Sequence, residues 1–476
     1  MRKLSNRILF ALSGFMASAA LPALAAAPSD SIVIHAGEVI VRPGETLKDV
    51  DILVVDGVIR RIEAGIEVPD GARELTGAVV CAGLFDPWSL LGVPAGEASF
   101  TGTTPGTRTS DSYDFQGQVF NKKQALRAGV TSARVQAGWR ASVSGLGCVV
   151  SLAPTGAGDL LVREDVALGA SIGLTDPSSG GSSFTFNSDG SFTVTEARPK
   201  PLDPFERLSQ IDKLVGSLAS GRSYRIAANE YAHELEEWRE GITKKVKELE
   251  KDFKKAKKSR DKEIEEAKEK GKEFKEEKYK EDKPPRQPKF NADKEVLASV
   301  VNGETALVVE VHRTAELRNL LEKTAQFTRL RMVIAGATEA EDFAEQLAKR
   351  QIAVIVNPLT PAAGAYDELD GHDPMLAGIL AEAGVQVLIG TGGRSAGATR
   401  DLVLLAAMAV GGGMESDDAL AAITSAPARV FGVTDRGTVE FGKQADLLIL
   451  DGQPLSTTTQ VLAVLVGGRV VVEPKE

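Results

Sequence analysis

Leu330-Arg331-Met332-Val333-Ile334-Ala335, then Thr338 to Arg350, then Ile352-Ala353-Val354-Ile355-Val356 is the stretch that decides the fold. The outer runs are short and rich in Val and Ile, and the segment between them sets Phe343, Ala344, Leu347 and Ala348 at helical spacing. Thr131 to Val135, Thr305 to Val311 and Val385 to Ile389 are further strand-like runs of the same kind. Strand-helix units repeated at this length predict a parallel sheet buried on both faces, either a (β/α)8 barrel or a doubly wound sheet.

The two ends of the chain read differently. Ser31-Ile32-Val33-Ile34, Glu38 to Val41 and Asp51 to Val55 are short strands, and Asp56-Gly57 before Val58-Ile59 is a hairpin signal. Ala445 to Leu450, Asp451-Gly452 and Val461 to Val472 repeat the style. A small β-sandwich built from residues 31–80 and 433–476, around a barrel spanning 81–432, is the expected organisation.

One segment breaks the rhythm. From Lys244 to Lys283, 30 of 40 residues are charged, 17 basic and 13 acidic, ahead of Pro284-Pro285. Val246, Leu249, Phe253 and Ala256 keep a 3-4 spacing before Arg260 and Glu263 interrupt it. The region 230–292 reads as a solvated charged helix, or a hairpin bent at Gly271, held by pairs four residues apart. A coiled coil that recruits a protein partner is the rival reading.

Composition narrows the function classes. With 66 acidic against 56 basic residues and 5% aromatics, nothing supplies the clustered Lys and Arg of a nucleic-acid surface. Two cysteines exclude a multi-bridge disulfide scaffold and a four-thiolate zinc site, and Cys81 and Cys148 read as two separate buried thiols. Four histidines mean that a His-rich metal centre needs nearly all of them in one place. At the start, Arg2, Lys3 and Arg7, the apolar run Ile8 to Leu21 and the small-x-small site Ala23-Leu24-Ala25 read as a secretory signal over residues 1–25. The expectation is a periplasmic or secreted chain with no membrane span. Losing those three positive charges takes the net charge from -10 to -13.

Val79-Val80-Cys81-Ala82-Gly83-Leu84-Phe85-Asp86-Pro87-Trp88-Ser89-Leu90-Leu91-Gly92 resembles the first barrel strand of the amidohydrolase superfamily, which commonly reads V-x-P-G-L-I-D-x-H-x-H-x-G. Ala128 to Arg134, Val143 to Gly147, Thr424 to Gly432 and the hairpin-like Gly437 to Leu447 are similar to later family motifs, in the order of the imidazolonepropionase-like branch. The resemblance implies a (β/α)8 TIM-like barrel with one or two divalent metals at the ends of its strands. There a metal-bound water of lowered pKa attacks an amide or cyclic amide carbon, and the ligands are imidazoles and carboxylates with one position left open.

The ligand positions are where this chain departs from the family. The paired histidines of strand one lie two apart because strand side chains at i and i+2 share a face; here they are Trp88 and Leu90. The sixth-strand histidine position is Gly336, and the Gly-Thr-Asp of strand eight is Gly390-Thr391-Gly392. Asp86 and His312 keep their places. The resemblance therefore implies an exported amidohydrolase-fold protein without metal or other cofactor, a pseudoenzyme acting as a binding or scaffold module through the old barrel mouth or the charged helix. The alternative is a working hydrolase with a reduced zinc-type site around Asp86 and His312. Trp88, Arg134, His312, Asn357 and Thr391 are the binding-pocket candidates, for a small molecule or a protein, and a homodimer is what the parent enzymes suggest.

Three motifs are read as structural. Gly169-Ala170-Ser171-Ile172-Gly173 matches a nucleophile elbow, but is placed outside the barrel mouth. Gly437 to Lys443 spells a P-loop start without its Ser or Thr. His233-Glu234 lacks the second histidine of a zincin, and His372 between Asp370 and Asp373 reads as a solvated loop.

Overall fold

The computed structural model describes residues 30–473 except 94–103, 138–141, 155, 174–181, 187–190, 197–201, 271–282, 360–370 and 394. The proposed signal segment, Gly271 and Asp370 thus lie outside the described residues. The chain opens with strands β1 (Ser31–Arg42), β2 (Glu45–Val55), β3 (Val58–Glu63) and β4 (Arg73–Ala82). The barrel strands β5 (Leu84–Ser89), β6 (Val130–Val135), β7 (Leu146–Ser151) and β8 (Leu161–Ser171) follow, with helix α1 (Val119–Arg127) between the first two. After a hairpin of β9 (Ser182–Phe186) and β10 (Phe192–Glu196) come α2 (Pro204–Glu269), α3 (Ala292–Val301), β11 (Ala306–Val311), α4 (Thr314–Thr324) and β12 (Met332–Gly336). The rest is α5 (Ala344–Lys349), β13 (Ala353–Val356), α6 (Leu376–Glu382), β14 (Val387–Ile389), α7 (Leu402–Gly411), α8 (Ser416–Ala421), α9 (Ser425–Val430), β15 (Leu447–Leu450), β16 (Val461–Val466) and β17 (Arg469–Val472).

Both ends of the chain share one seven-stranded sheet, ordered β17-β16-β15-β4-β1-β2-β3. The two short strands expected near residues 31 and 38 are one strand, β1. It runs antiparallel to β2 and parallel to β4, with His35 opposite both Asp51 and Thr76. At the predicted hairpin, Asp56 and Gly57 both take positive φ, 52° and 80°, as a type I′ turn requires. The sheet curls until its ends meet: a Cβ on Gly57 would lie 2.7 Å from the carbonyl oxygen of Gly467, beside β17. Ile34, Ile52, Ile59, Val80, Leu447 and Leu465 pack inside the curl, so a single folded-over sheet supplies the sandwich.

The second sheet has eight strands, β14-β13-β12-β11-β8-β7-β6-β5, and polar bonds across its two edges make a nearly closed barrel. Departing from eight parallel strands, β7 runs antiparallel to both β6 and β8. Phe85, Val149, Ala167, Val308, Val333, Ile355 and Leu388 fill the interior with Phe431. Arg331, just before β12, donates to the Val430 carbonyl (2.8 Å), which puts α9 and Phe431 at the end where the strands begin. That end is closed, so only the other end is available for a site, as in barrels generally.

Helix α2 runs for 66 residues and starts at Pro204, well before the charged stretch. Asp203 accepts from the Phe205 amide (2.8 Å), Glu206 reaches back to the Asp203 amide (2.9 Å), and Pro204 occupies the first turn, a capping box that fixes the start. Its first turns bury Ile211, Leu214 and Leu218 in the main core. The charged stretch is the far part of this helix.

Candidate functional site

At the strand ends, β5 contributes Asp86 and Trp88. The Asp86 carboxylate is fully buried and accepts bonds from the amides of Trp88 (3.0 Å) and Thr391 (3.2 Å) and from the Thr391 hydroxyl (2.5 Å). Burial pushes its pKa above the ordinary carboxylate value, and the Thr391 hydroxyl works in the opposite direction. These bonds, with Gly393 N to Trp88 O at 3.0 Å, join β5 to the segment after β14. Asp86 closes the barrel.

Trp88 is 2% exposed, so its indole offers no platform to a ligand; the side chain plugs the interior. A Cβ on Gly390 would stand 3.0 Å from Trp88 Cβ, and one on Gly393 2.8 Å from its Nε1. The glycines after β14 are therefore matched to Trp88, Gly390 at its Cβ and Gly393 at its indole. Gly392, where the family's aspartate would stand, holds φ of 82°, a conformation that disfavours side chains. Leu90 is half-buried and packs on the main core.

Arg134 lies wholly inside the barrel, its Nη2 donating to Gln136 Oε1 (2.8 Å) and its guanidinium 5.2 Å from the Phe431 ring. Burial lowers its pKa to about 9. Gln136 spans the next two strands with its Nε2 on the Gly145 carbonyl (2.7 Å). A Cβ on Gly169 would approach its Cδ to 2.9 Å, and one on Gly147 its Oε1 to 2.6 Å.

The nucleophile-elbow sequence lies on β8, inside the barrel and not outside its mouth as expected. Ser171 ends the strand fully buried and donates to Glu310 Oε2 (2.7 Å) on β11. Its partner is the Glu310 carboxylate and not a histidine, and Gly169 leaves room for Gln136. Glu310 Oε1 faces His312 Nε2 at 3.6 Å, and His312 Nδ1 meets the Thr338 hydroxyl at 2.6 Å. Neither Glu310 Oε1 nor His312 Nε2 has a hydrogen-bond partner among the described residues. The imidazole stands against Gly336, whose missing Cβ would fall 2.3 Å from His312 Cε1. Glu310 and Gln136 are the polar residues that sequence reasoning missed; each lies two positions from a named candidate on the same strand run, hence on the same face.

Asn357 is half-buried beside a cavity of about 10 Å³, lined also by Gly336, Thr338, His372 and Asp373, room for one water. His372 Nε2 is buried there without a hydrogen bond among the described residues, while Asp373 accepts from the Met375 amide (2.7 Å). His233 is exposed on α2, four residues before its neighbour Glu237 (3.7 Å). Cys81 and Cys148 are separate buried thiols, pushed up to about 12 by burial.

The donors present do not fit the divalent centre that the fold implies. The place of one histidine is taken by an indole, a second position is covered by the His312 ring, and the Asp86 carboxylate is committed to Thr391. Among the described residues no three or more His, Cys, Asp or Glu side chains come together to hold a metal ion. Nor is any helix among them long and apolar enough to cross a membrane.

The sequence profile of the amidohydrolase family matches residues 233–471. An amidohydrolase from Thermotoga maritima MSB8 has a similar structure, with a TM-score of 0.66 at 21% identity over 93% of this chain and 100% of the other. A second solved amidohydrolase superposes with a TM-score of 0.50 at 15% identity, covering 94% and 100%. No curated protein sequence matches the chain.

Proposed function

The chain belongs to the amidohydrolase family, and on that premise we propose that it is an exported, metal-free member that does not hydrolyse C–N bonds and serves as a binding or scaffold module. One observation carries the reading: Trp88 is packed against Gly390 through its Cβ and against Gly393 through its indole. A tryptophan at one ligand position and glycines around another form a fitted pair. Four of the five pocket candidates, Trp88, Arg134, His312 and Thr391, are buried in that packing, and so the filled mouth shifts the expected binding role towards the charged helix. Export rests on the Arg2-to-Ala25 pattern alone.

A second reading is favoured by the line Ser171, Glu310, His312 and Thr338, in which two facing buried atoms lack hydrogen bonds. In it the chain is a hydrolase of amide or cyclic amide bonds with a reduced site around Asp86 and His312. Plasma mass spectrometry on mature protein, purified without a His-tag and dialysed against zinc and manganese, separates the two. The first reading expects folded protein without bound metal and no turnover of amide substrates. One or two equivalents of metal, lost together with turnover in His312→Ala, would overturn it in favour of the second.

A further inference from the structure

We infer that the groove between α1 and the hairpin of β16 and β17 is a binding site for an amphipathic anion, a carboxylate at the head of an unbranched alkyl chain. The groove encloses about 830 Å³, within the ~300–1,000 Å³ usual for small-molecule sites. None of its lining residues belongs to the filled barrel mouth or to the charged helix. It is a site of its own, beyond both places to which a binding role was assigned above.

The floor is apolar because of how the two elements meet. Leu126 of α1 is buried in the main core, and Val461, Val471 and Val472 are half-buried against that same core. Successive side chains of a strand ordinarily point to opposite faces. Here the register slips between Val464 and Leu465 and leaves Val471 as an extra residue on β17. A bulge of this kind re-aims a side chain, and the two consecutive valines both line the groove.

The wall above that floor is cationic. Helix α1 carries Lys122, Lys123 and Arg127 and no acidic residue. Lys122 turns inward, 5% exposed, and donates to the carbonyls of Asp114 (3.1 Å) and Phe115. Lys123 and Arg127 line the groove instead, four residues apart and hence neighbours on one helix face. Both are exposed, and neither side chain makes an ion pair or a hydrogen bond among the described residues. Glu473, the acid among the described lining residues, is engaged by Arg73, with Nη2 2.5 Å from Oε2. Two cations without partners thus stand over a hydrocarbon floor, in a chain whose net charge is -10. Carboxylate oxygens make short, strong bonds with such donors, and an alkyl chain gains by leaving water for the valines and the leucine. A short acid would leave the floor wet, and a cationic or neutral chain would leave the wall unpaired.

Calorimetric titration of sodium dodecanoate into the mature full-length chain tests this, and the result does not depend on whether the barrel holds metal. Saturable binding at one equivalent is expected, with butanoate and dodecyltrimethylammonium each weaker by about tenfold or more. Lys123→Gln with Arg127→Gln should weaken dodecanoate by about tenfold or more, and because both side chains are exposed the fold is not at risk. The same exchange at two other exposed cations, Lys294→Gln with Arg318→Gln, should leave the affinity unchanged. Absence of saturable binding, equal affinity for dodecyltrimethylammonium, or an affinity that the Lys123 and Arg127 exchange lowers no more than the Lys294 and Arg318 exchange would overturn the proposal.

Discussion

Asp86 and Thr391 stand 305 residues apart and hold the two edges of the barrel together, both carboxylate oxygens taking bonds from the one threonine. Of the two Thr391 donors, the hydroxyl is the one a substitution can remove without disturbing the backbone. Thr391→Val should cost about 1–3 kcal/mol at neutral pH, the usual range for a buried acceptor that loses its donor. The pH dependence follows from the carboxyl. Burial has raised the Asp86 pKa and the Thr391 hydroxyl restrains the rise, so the variant carboxyl is raised further. The folded variant then takes up a proton at higher pH than the wild type, and its deficit shrinks as pH falls. Urea unfolding at several pH values measures this; a deficit equal at pH 5 and pH 7 would show that the hydroxyl does not support the ionised form.

Trp88 and Gly393 should behave as one unit. Gly393→Ala forces a Cβ to 2.8 Å from Trp88 Nε1 and 3.2 Å from its Cδ1, an overpacking that costs about 1–3 kcal/mol. Trp88→Ala empties a large buried volume and should cost about 3–5 kcal/mol. The new methyl has room once the indole is gone, so the double variant should be more stable than the sum of the single losses predicts. A double-mutant cycle by chemical denaturation reads the coupling; strict additivity would mean that the glycine does not exist to admit the indole.

Legibility in the sequence followed periodicity. The Val- and Ile-rich runs became β6, β11, β12, β13 and β14, because strands buried on both faces leave a continuous apolar signature. The folded-over sheet was readable from Asp56-Gly57 and from the matching C-terminal hairpin motif. What escaped was polar and interior. Glu310 looks like an interruption of an apolar strand until its parity with His312 is noticed, and Ser171 was misplaced because a short glycine pattern says nothing about which strand it ends. The antiparallel β7 left no trace, since residues 146–151 read the same in either direction. The start of α2 was legible and overlooked: Asp203-Pro204-Phe205-Glu206 is a capping-box signature, masked by the attention that the charge run draws.

His35 links the first strand to both neighbours in the terminal sheet, with Nδ1 2.8 Å from Asp51 and Nε2 3.2 Å from Glu74. The Asp51 hydrogen bond raises its pKa above 6.5 against the opposing effect of burial, and Glu74 adds to the rise. For Asp51, burial works upward, but the bonds from His35 and the Ile66 amide outweigh it and leave the carboxyl below 3.8. The signs define a window. A raised histidine contributes its full stabilisation below pH 6.5 and loses it as pH climbs through the folded-state value, while a lowered aspartate contributes above pH 3.8 and loses it as pH drops through its own. The stability gap between wild type and His35→Gln should therefore be widest near about pH 5 and close steadily above 6.5. Only four histidines are present, so imidazole resonances labelled with ¹⁵N can be assigned by single substitutions. A His35 ring that titrates at or below 6.5 would remove the ion pair as the tie that holds β1 in register between β2 and β4.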